Sequence, residues 1–197
     1  MQTAAARITR ESLLGLEQYA RERKAFRARV IDHKKARTVH LGEHLTLQFE
    51  DELTIRYQIQ EMLRIERIFE EEGIRGELEA YGPLVPDGGN WKATMMIEYP
   101  DVDERRAMLA RLKGVEERVW VRVEGFDRVF PVADEDLDRE TDEKTSSVHF
   151  LRFELAEAMR KALRAGAALS MGVDHEAYRA ELTVAEPVRA SLAGDLA

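Results

Sequence analysis

Hydrophobic and polar positions change period several times along the chain, and each change marks an element. Thr9 and Glu11 supply a side-chain oxygen and an acid where a helix begins, and Leu13, Leu14, Leu16, Tyr19 and Ala20 follow at helical spacing. The pattern predicts a helix over residues 10–22. Between 37 and 49 the period shortens to two. Leu45, Leu47 and Phe49 alternate with Thr46 and Gln48, which is strand periodicity, and Gly42-Glu43 between the two runs predicts a tight hairpin turn. In that register His40 faces Leu45 and shares the apolar face of Leu45, Leu47 and Phe49, while His44 points away.

Residues 51–72 read as one long helix. On a helical projection Ile55, Ile59, Met62, Leu63 and Phe69 share a face, with Glu66 in its middle and Gln58 at its margin. Gly82-Pro83 and Pro86-Asp87-Gly88-Gly89 break residues 73–92 into a short helical piece and a long loop. Ala93–Tyr99 reads as a strand, and Asp101 with Glu104 as a capping box opening a helix to about Leu112. Val119, Val121 and Val123 mark another strand, with Gly125-Phe126-Asp127 turning into Val129–Val132. Val148–Leu155 is a strand with His149, Leu151, Phe153 and Leu155 on one face. A helix near 156–165, an Ala/Gly-rich connection and a strand at Tyr178–Val184 follow, and the tail from about 187 to 197 is expected to fray. With no repeat and no linker, residues 1–197 are expected to form a single α+β domain: a mostly antiparallel sheet covered by helices, the N-terminal basic helix and arm (1–40) packed on it.

Charge changes this picture at one end. Residues 1–40 carry a net +6 within a chain of net −8, leaving −14 for the remainder. A basic arm on an acidic body fits nucleic acid or an acidic partner. Interleaved aromatics for base stacking are missing, because Tyr19 and Phe26 occupy apolar positions, so the arm is expected to pack on its own acidic body and nucleic acid is disfavoured. No apolar run approaches the roughly 18 residues of a membrane span, nor is there a signal-peptide core, so a cytoplasmic location is expected. Cysteine is absent, which excludes disulfides, thiolate zinc, cysteine-ligated iron–sulfur clusters and a cysteine nucleophile.

Candidate chemistry is sparse, and no motif names a reaction. Glu66, central on an apolar helix face, needs a partner there. It is salt-bridged to an Arg, a site carboxylate, or placed off the stripe by a different helix rotation, and it is the candidate catalytic residue. His40 and His149, both inward on predicted strands, complete a two-histidine, one-carboxylate composition suited to iron or zinc. His40, Glu66 and His149 are therefore the candidate metal ligands, although they come from three distant segments. Gly88-Gly89 followed by Asn90, Trp91 and Lys92 offers backbone amides, a stacking aromatic and a cation, a candidate ligand-binding wall. From Asp134 to Thr145, alternating acids match calcium-loop positions. Arg139 replaces the required glycine and Thr145 the closing glutamate, so a solvated acidic loop is expected instead. Ser146, Ser147 and Ser170 lack a nucleophile-elbow setting.

Four strings resemble a bacterial family known as domain of unknown function 3501. They are FRARVIDHKKARTVHLGEHLTLQFED (26–51), YQIQEMLRIERIFE (57–70), PDGGNWKATMMIEYPD (86–101) and TSSVHFLRFEL (145–155), together spanning roughly residues 8–186. The resemblance assigns no activity and no catalytic residues. It implies proteins often encoded beside a rubrerythrin-like protein and an iron–sulfur protein similar to heterodisulfide reductase subunits. A role in oxidative stress or electron transfer follows by association. Two functions are thus expected. One is a non-catalytic partner of an iron–sulfur or rubrerythrin-type protein, docking through opposed charges. The other is a metal- or small-ligand-binding enzyme using His40, Glu66 and His149.

Overall fold

The computed structural model describes residues 8–136, 139–141 and 143–197. Among them the strands are β1 (Thr38–Leu41), β2 (Leu45–Phe49), β3 (Asn90–Ile97), β4 (Val119–Val123), β5 (Val132–Ala133), β6 (Val148–Glu154), β7 (Leu169–His175) and β8 (Tyr178–Thr183). The helices are α1 (Leu16–Lys35), α2 (Glu52–Ile65), α3 (Glu71–Tyr81), α4 (Val102–Arg111), α5 (Glu157–Arg164) and α6 (Glu186–Ala193). The strands form two antiparallel sheets, ordered β1-β2-β3-β6-β5 and β4-β7-β8. The architecture is α+β, as expected, with two sheets rather than one.

Cross-strand register fixes the faces of the larger sheet. Val39 pairs with Leu47, Leu47 with Met95 and Met95 with His149, so these four share its inner face. That face packs on Val119, Val121, Val123, Leu169, Met171 and Val173 of the smaller sheet to make the main core. The outer face carries Gln48, Thr94 and Phe150 in one row and Lys92 and Arg152 in another. It lies beneath α2 and α3, which have their own small core of Ile55, Ile59, Leu63 and Ile74 with Ile8 and Leu13.

Several expectations change. The hairpin loop has three residues, Gly42 to His44, pairing Leu41 with Leu45 and His40 with Thr46. One residue of register turns a side chain to the opposite face, and His40 is exposed on the outer side. The Tyr178 hydroxyl holds this loop, donating to Leu41 O (2.7 Å) and accepting from His44 N–H (3.1 Å). Residues 10–12 form only a 3-10 turn, and the first helix runs from Leu16 to Lys35.

The helix expected over 51–72 starts where predicted, with the Asp51 carboxylate accepting from Thr54 N–H at 3.0 Å, but it stops at Ile65. Arg67 turns left-handed (φ 56°), and Ile68 N–H donates to Leu63 O at 2.9 Å, a Schellman closure. The chain then folds back as α3. Gly73 gives Ile68 room, since a Cβ there would lie 2.6 Å from its Cγ2. Residues 71–81 are helical, so the broken stretch is shorter than predicted.

The Ala/Gly-rich connection contains β7, the central strand of the smaller sheet. Its Gly172 sits under the Trp120 ring, 2.4 Å from where a Cβ would be, so the small residue serves packing rather than flexibility. The tail expected to fray is α6 followed by a docked terminus. Leu192 and Leu196 are buried in the main core, and Asp195 pairs with the buried Arg37 guanidinium at 2.6 Å. Ion pairs Arg10–Glu71, Arg23–Glu61 and Arg37–Asp195 join the basic N-terminal segment to the rest of the chain.

Candidate functional site

Alternate residues of β6 face different environments, and each side holds a cluster of chemistry-bearing groups. On the outer side a cleft of 640 Å³ opens between α2–α3 and the sheet. Its polar lining includes Glu66, Glu77, Lys92, Glu135, Arg139 and Arg152, and Tyr81, Leu84 and Phe150 supply apolar wall. Lys92 and Arg152 are direct cross-strand neighbours, a like-charge pair that is unfavourable unless acids surround it. Arg152 has them: its guanidinium holds Glu135 at 2.7 and 2.8 Å and also Glu154. Arg139 holds Asp136 at 2.6 and 2.7 Å and lies 4.6 Å above the Phe150 ring.

Lys92 is different. It is half-buried, and its ammonium makes no direct hydrogen bond or ion pair among the described residues, the acids Glu135, Asp87 and Glu154 acting on it only through space. Burial, then the neighbouring Arg152 charge, push its ammonium below the usual lysine range. On the helical wall, burial and the nearby Glu66 push the Glu77 carboxyl above its usual range, and its Oε2 is buried without a hydrogen-bond partner.

The inner side is closed. His149 is fully buried, its Nδ1 2.5 Å from Asp134 Oδ2 and its Nε2 2.9 Å from Thr145 Oγ1 and 3.0 Å from Ser146 O. Asp134 is left-handed (φ 48°), which turns its carboxylate back onto β6. There Oδ1 accepts from Phe150 N–H (2.9 Å) and from Arg139 Nη1 (3.1 Å). Arg139 thereby ties the inner cluster to the cleft wall.

The residues singled out from sequence are divided between these places. His149 is inward and buried, as its strand period indicated. His40 is exposed and hydrogen-bonds Thr46 at 3.1 Å. Glu66 is exposed too, because it caps α2 where the helix ends and never enters the apolar stripe. His40, Glu66 and His149 do not form one site: His40 and His149 lie on opposite faces of the sheet with β2 and β3 between them. Glu66 and Lys92, expected in separate roles, line the same cleft.

Asn90 and Trp91 are structural. Trp91 is fully buried and donates its indole N–H to Leu192 O at 2.9 Å, and Asn90 donates to Glu154 at 3.0 Å. In the acidic loop, Asp134 and Asp136 are neutralised by Arg139, and Glu140 accepts from Gly114 N–H at 2.9 Å. Asp138 and Asp142 lie outside the described residues. Sequence reasoning missed Glu77 and Glu116. A helical projection started at α3, rather than continued from α2, puts Glu77 beside Ile74 and Leu78 and exposes the first.

These features define a single-domain α+β protein of two packed antiparallel sheets, with a charged cleft under a helical hairpin. The chain belongs to the family described as "Protein of unknown function (DUF3501)", whose model matches residues 7–196. It is similar to a novel protein of unknown function from Burkholderia pseudomallei known from a crystal structure, at 59% identity and a TM-score of 0.92 over 96% of this chain and 99% of that one. No curated protein matches it. No helix among the described residues is long and apolar enough to cross a membrane.

Proposed function

We propose that the cleft binds a small organic molecule carrying a carboxylate and a protonated amine, as a free amino acid does. The observation that carries this reading is a cation and a buried, unbonded carboxylate oxygen lining one cleft. The Lys92 ammonium makes no direct hydrogen bond or ion pair among the described residues, and Glu77 Oε2 is buried and unbonded. The unbonded Glu77 oxygen leaves a desolvation cost of about 1–3 kcal/mol. A ligand amine between Glu77 and Glu66 removes that cost, and a ligand carboxylate meets Lys92. Arg139 and Arg152 already hold carboxylates and form the cleft's rim. Tyr81, Leu84 and Phe150 offer contact for an apolar side chain, and the volume suits such a ligand.

Thermal-shift and calorimetric titration with free amino acids, their N-acetyl derivatives and their amides test this directly. At least one free amino acid is expected to raise the Tm, with both blocked forms weaker. Lys92→Met is expected to weaken binding about tenfold or more. If no free amino acid binds at millimolar concentration, the reading fails.

A second reading rests on α1. Arg21, Lys24 and Arg27 are exposed and carry no ion pair among the described residues, leaving a cationic stripe on a helix attached by one side. That stripe suits an acidic partner, such as the iron–sulfur or rubrerythrin-like protein implied by the family resemblance. Charge reversal at the three positions is then expected to abolish co-elution with that protein at low salt, and moderate salt to weaken it. Absence of a complex at low salt removes this reading.

A further inference from the structure

We infer that Glu116 and His149 hold a divalent first-row transition-metal ion, of the zinc or iron(II) kind, with Asp134 orienting the imidazole. Glu116 comes from the 3-10 turn Val115–Arg118 that leads into β4, and His149 from the start of β6. One ligand atom from each of Glu116, Asp134 and His149 lies within 4.8 Å of the other two. Glu116 is 9% exposed, and its Oε2 is buried with no hydrogen-bond partner while pointing to within 4.0 Å of His149 Nε2. A buried carboxylate oxygen left unbonded carries a penalty, and no amide, hydroxyl or guanidinium among the described residues relieves it.

The surroundings of Nε2 match what a cation needs. With Nδ1–H donated to Asp134, Nε2 donates to Ser146 O when protonated and presents a lone pair to an ion when deprotonated, and Thr145 Oγ1 and Ser146 O stand at 2.9 and 3.0 Å from it. A carboxylate that fixes the imidazole through its other nitrogen is the usual support behind a metal-bound histidine. Two ligands on a tetrahedral ion with bonds of about 2.0–2.1 Å stand about 3.3 Å apart. The 4.0 Å gap from Glu116 to Nε2 closes with a small movement of a side-chain oxygen that nothing else holds. The donors are one imidazole, carboxylate, hydroxyl and carbonyl, with no thiolate, a set suited to zinc, iron(II) or manganese.

The test uses the full chain stripped with a chelator and then titrated with cobalt(II), followed by its visible bands, and with zinc(II) against a chromogenic chelator. Wild type is expected to take one equivalent of cobalt that zinc displaces. Glu116→Gln, which keeps the side chain's size and shape, is expected to keep its circular dichroism and lose zinc affinity tenfold or more. Asp134→Asn, still at ease in the left-handed region, is expected to lose about 10- to 100-fold. His40→Ala, on the opposite face of the sheet, is expected to bind as wild type does. Wild type that takes up neither ion, or a folded Glu116→Gln that binds zinc as tightly as wild type, overturns the inference.

Discussion

On the inner face of β6, His149 is wholly buried and both ring nitrogens meet oxygen atoms within 3.0 Å. Around the neighbouring outward positions, Phe150 and Arg152, charges pair sideways with one another, while among the described residues the Lys92 ammonium makes no direct ion pair. The inner cluster is anchored to backbone, through Phe150 N–H and Ser146 O, so its geometry is set by the fold. The outer cluster is mostly side chain to side chain, so its geometry can adapt to what enters the cleft. Adjacent positions on one strand thus carry either a rigid or an adaptable site, depending on which face they occupy.

The largest expected effect breaks the inner cluster. Asp134→Ala removes the partner of His149 and an acceptor for both Phe150 N–H and Arg139. It is expected to cost about 3–5 kcal/mol, the loss typical of stranding a buried charge or donor, read from urea denaturation. A loss below about 1 kcal/mol would show the two faces to be equally loosely tied. An intermediate effect is expected where the faces meet. In a double-mutant cycle, Arg139→Ala and Asp134→Asn should couple by about 0.5–3 kcal/mol, and additivity would separate the two clusters energetically.

The smallest effects belong to the cleft. Lys92→Met breaks no side-chain hydrogen bond and is expected to shift stability by no more than about 0.5 kcal/mol in either direction, while Glu77→Gln, which removes a buried unbonded charge, is expected to gain about 1 kcal/mol at neutral pH. Their pH dependence sharpens the contrast. The Glu77 carboxyl is raised in the folded state above its ordinary 4.5 by burial and then by Glu66, so the native protein binds more protons there than the unfolded chain does. Its stabilising contribution is complete at low pH and is lost as pH rises through the folded value. Glu77→Gln should therefore gain stability relative to wild type as pH is raised above 4.5, measured by melting temperature across the range.

Much of the fold was legible residue by residue. The Asp101 cap opens α4 where predicted, accepting from Glu104 N–H at 2.8 Å, because a cap is a local contact over three residues. The inward placement of His149 followed from a period of two, which needs no knowledge of the partner strand. The helical period of 51–72 misled at Glu66, since nothing in apolar spacing reports the left-handed turn at Arg67 that ends the helix. The glycine of β7 read as a connection because the ring it accommodates, Trp120, lies on another strand.

The sequence by itself determined the α+β class, most strand positions, the family and the absence of thiolate chemistry. Each of these rests on local period, on residue type or on matching strings. Tertiary structure alone decided which charged groups meet. The hairpin loop length sends His40 to the outer face, the break after α2 sends Glu66 to the cleft rim, and the close approach of the Val115–Arg118 turn to β6 sets an unbonded Glu116 oxygen beside His149. Those encounters join residues far apart in the chain, and they depend on how the backbone closes rather than on any spacing that can be read along it.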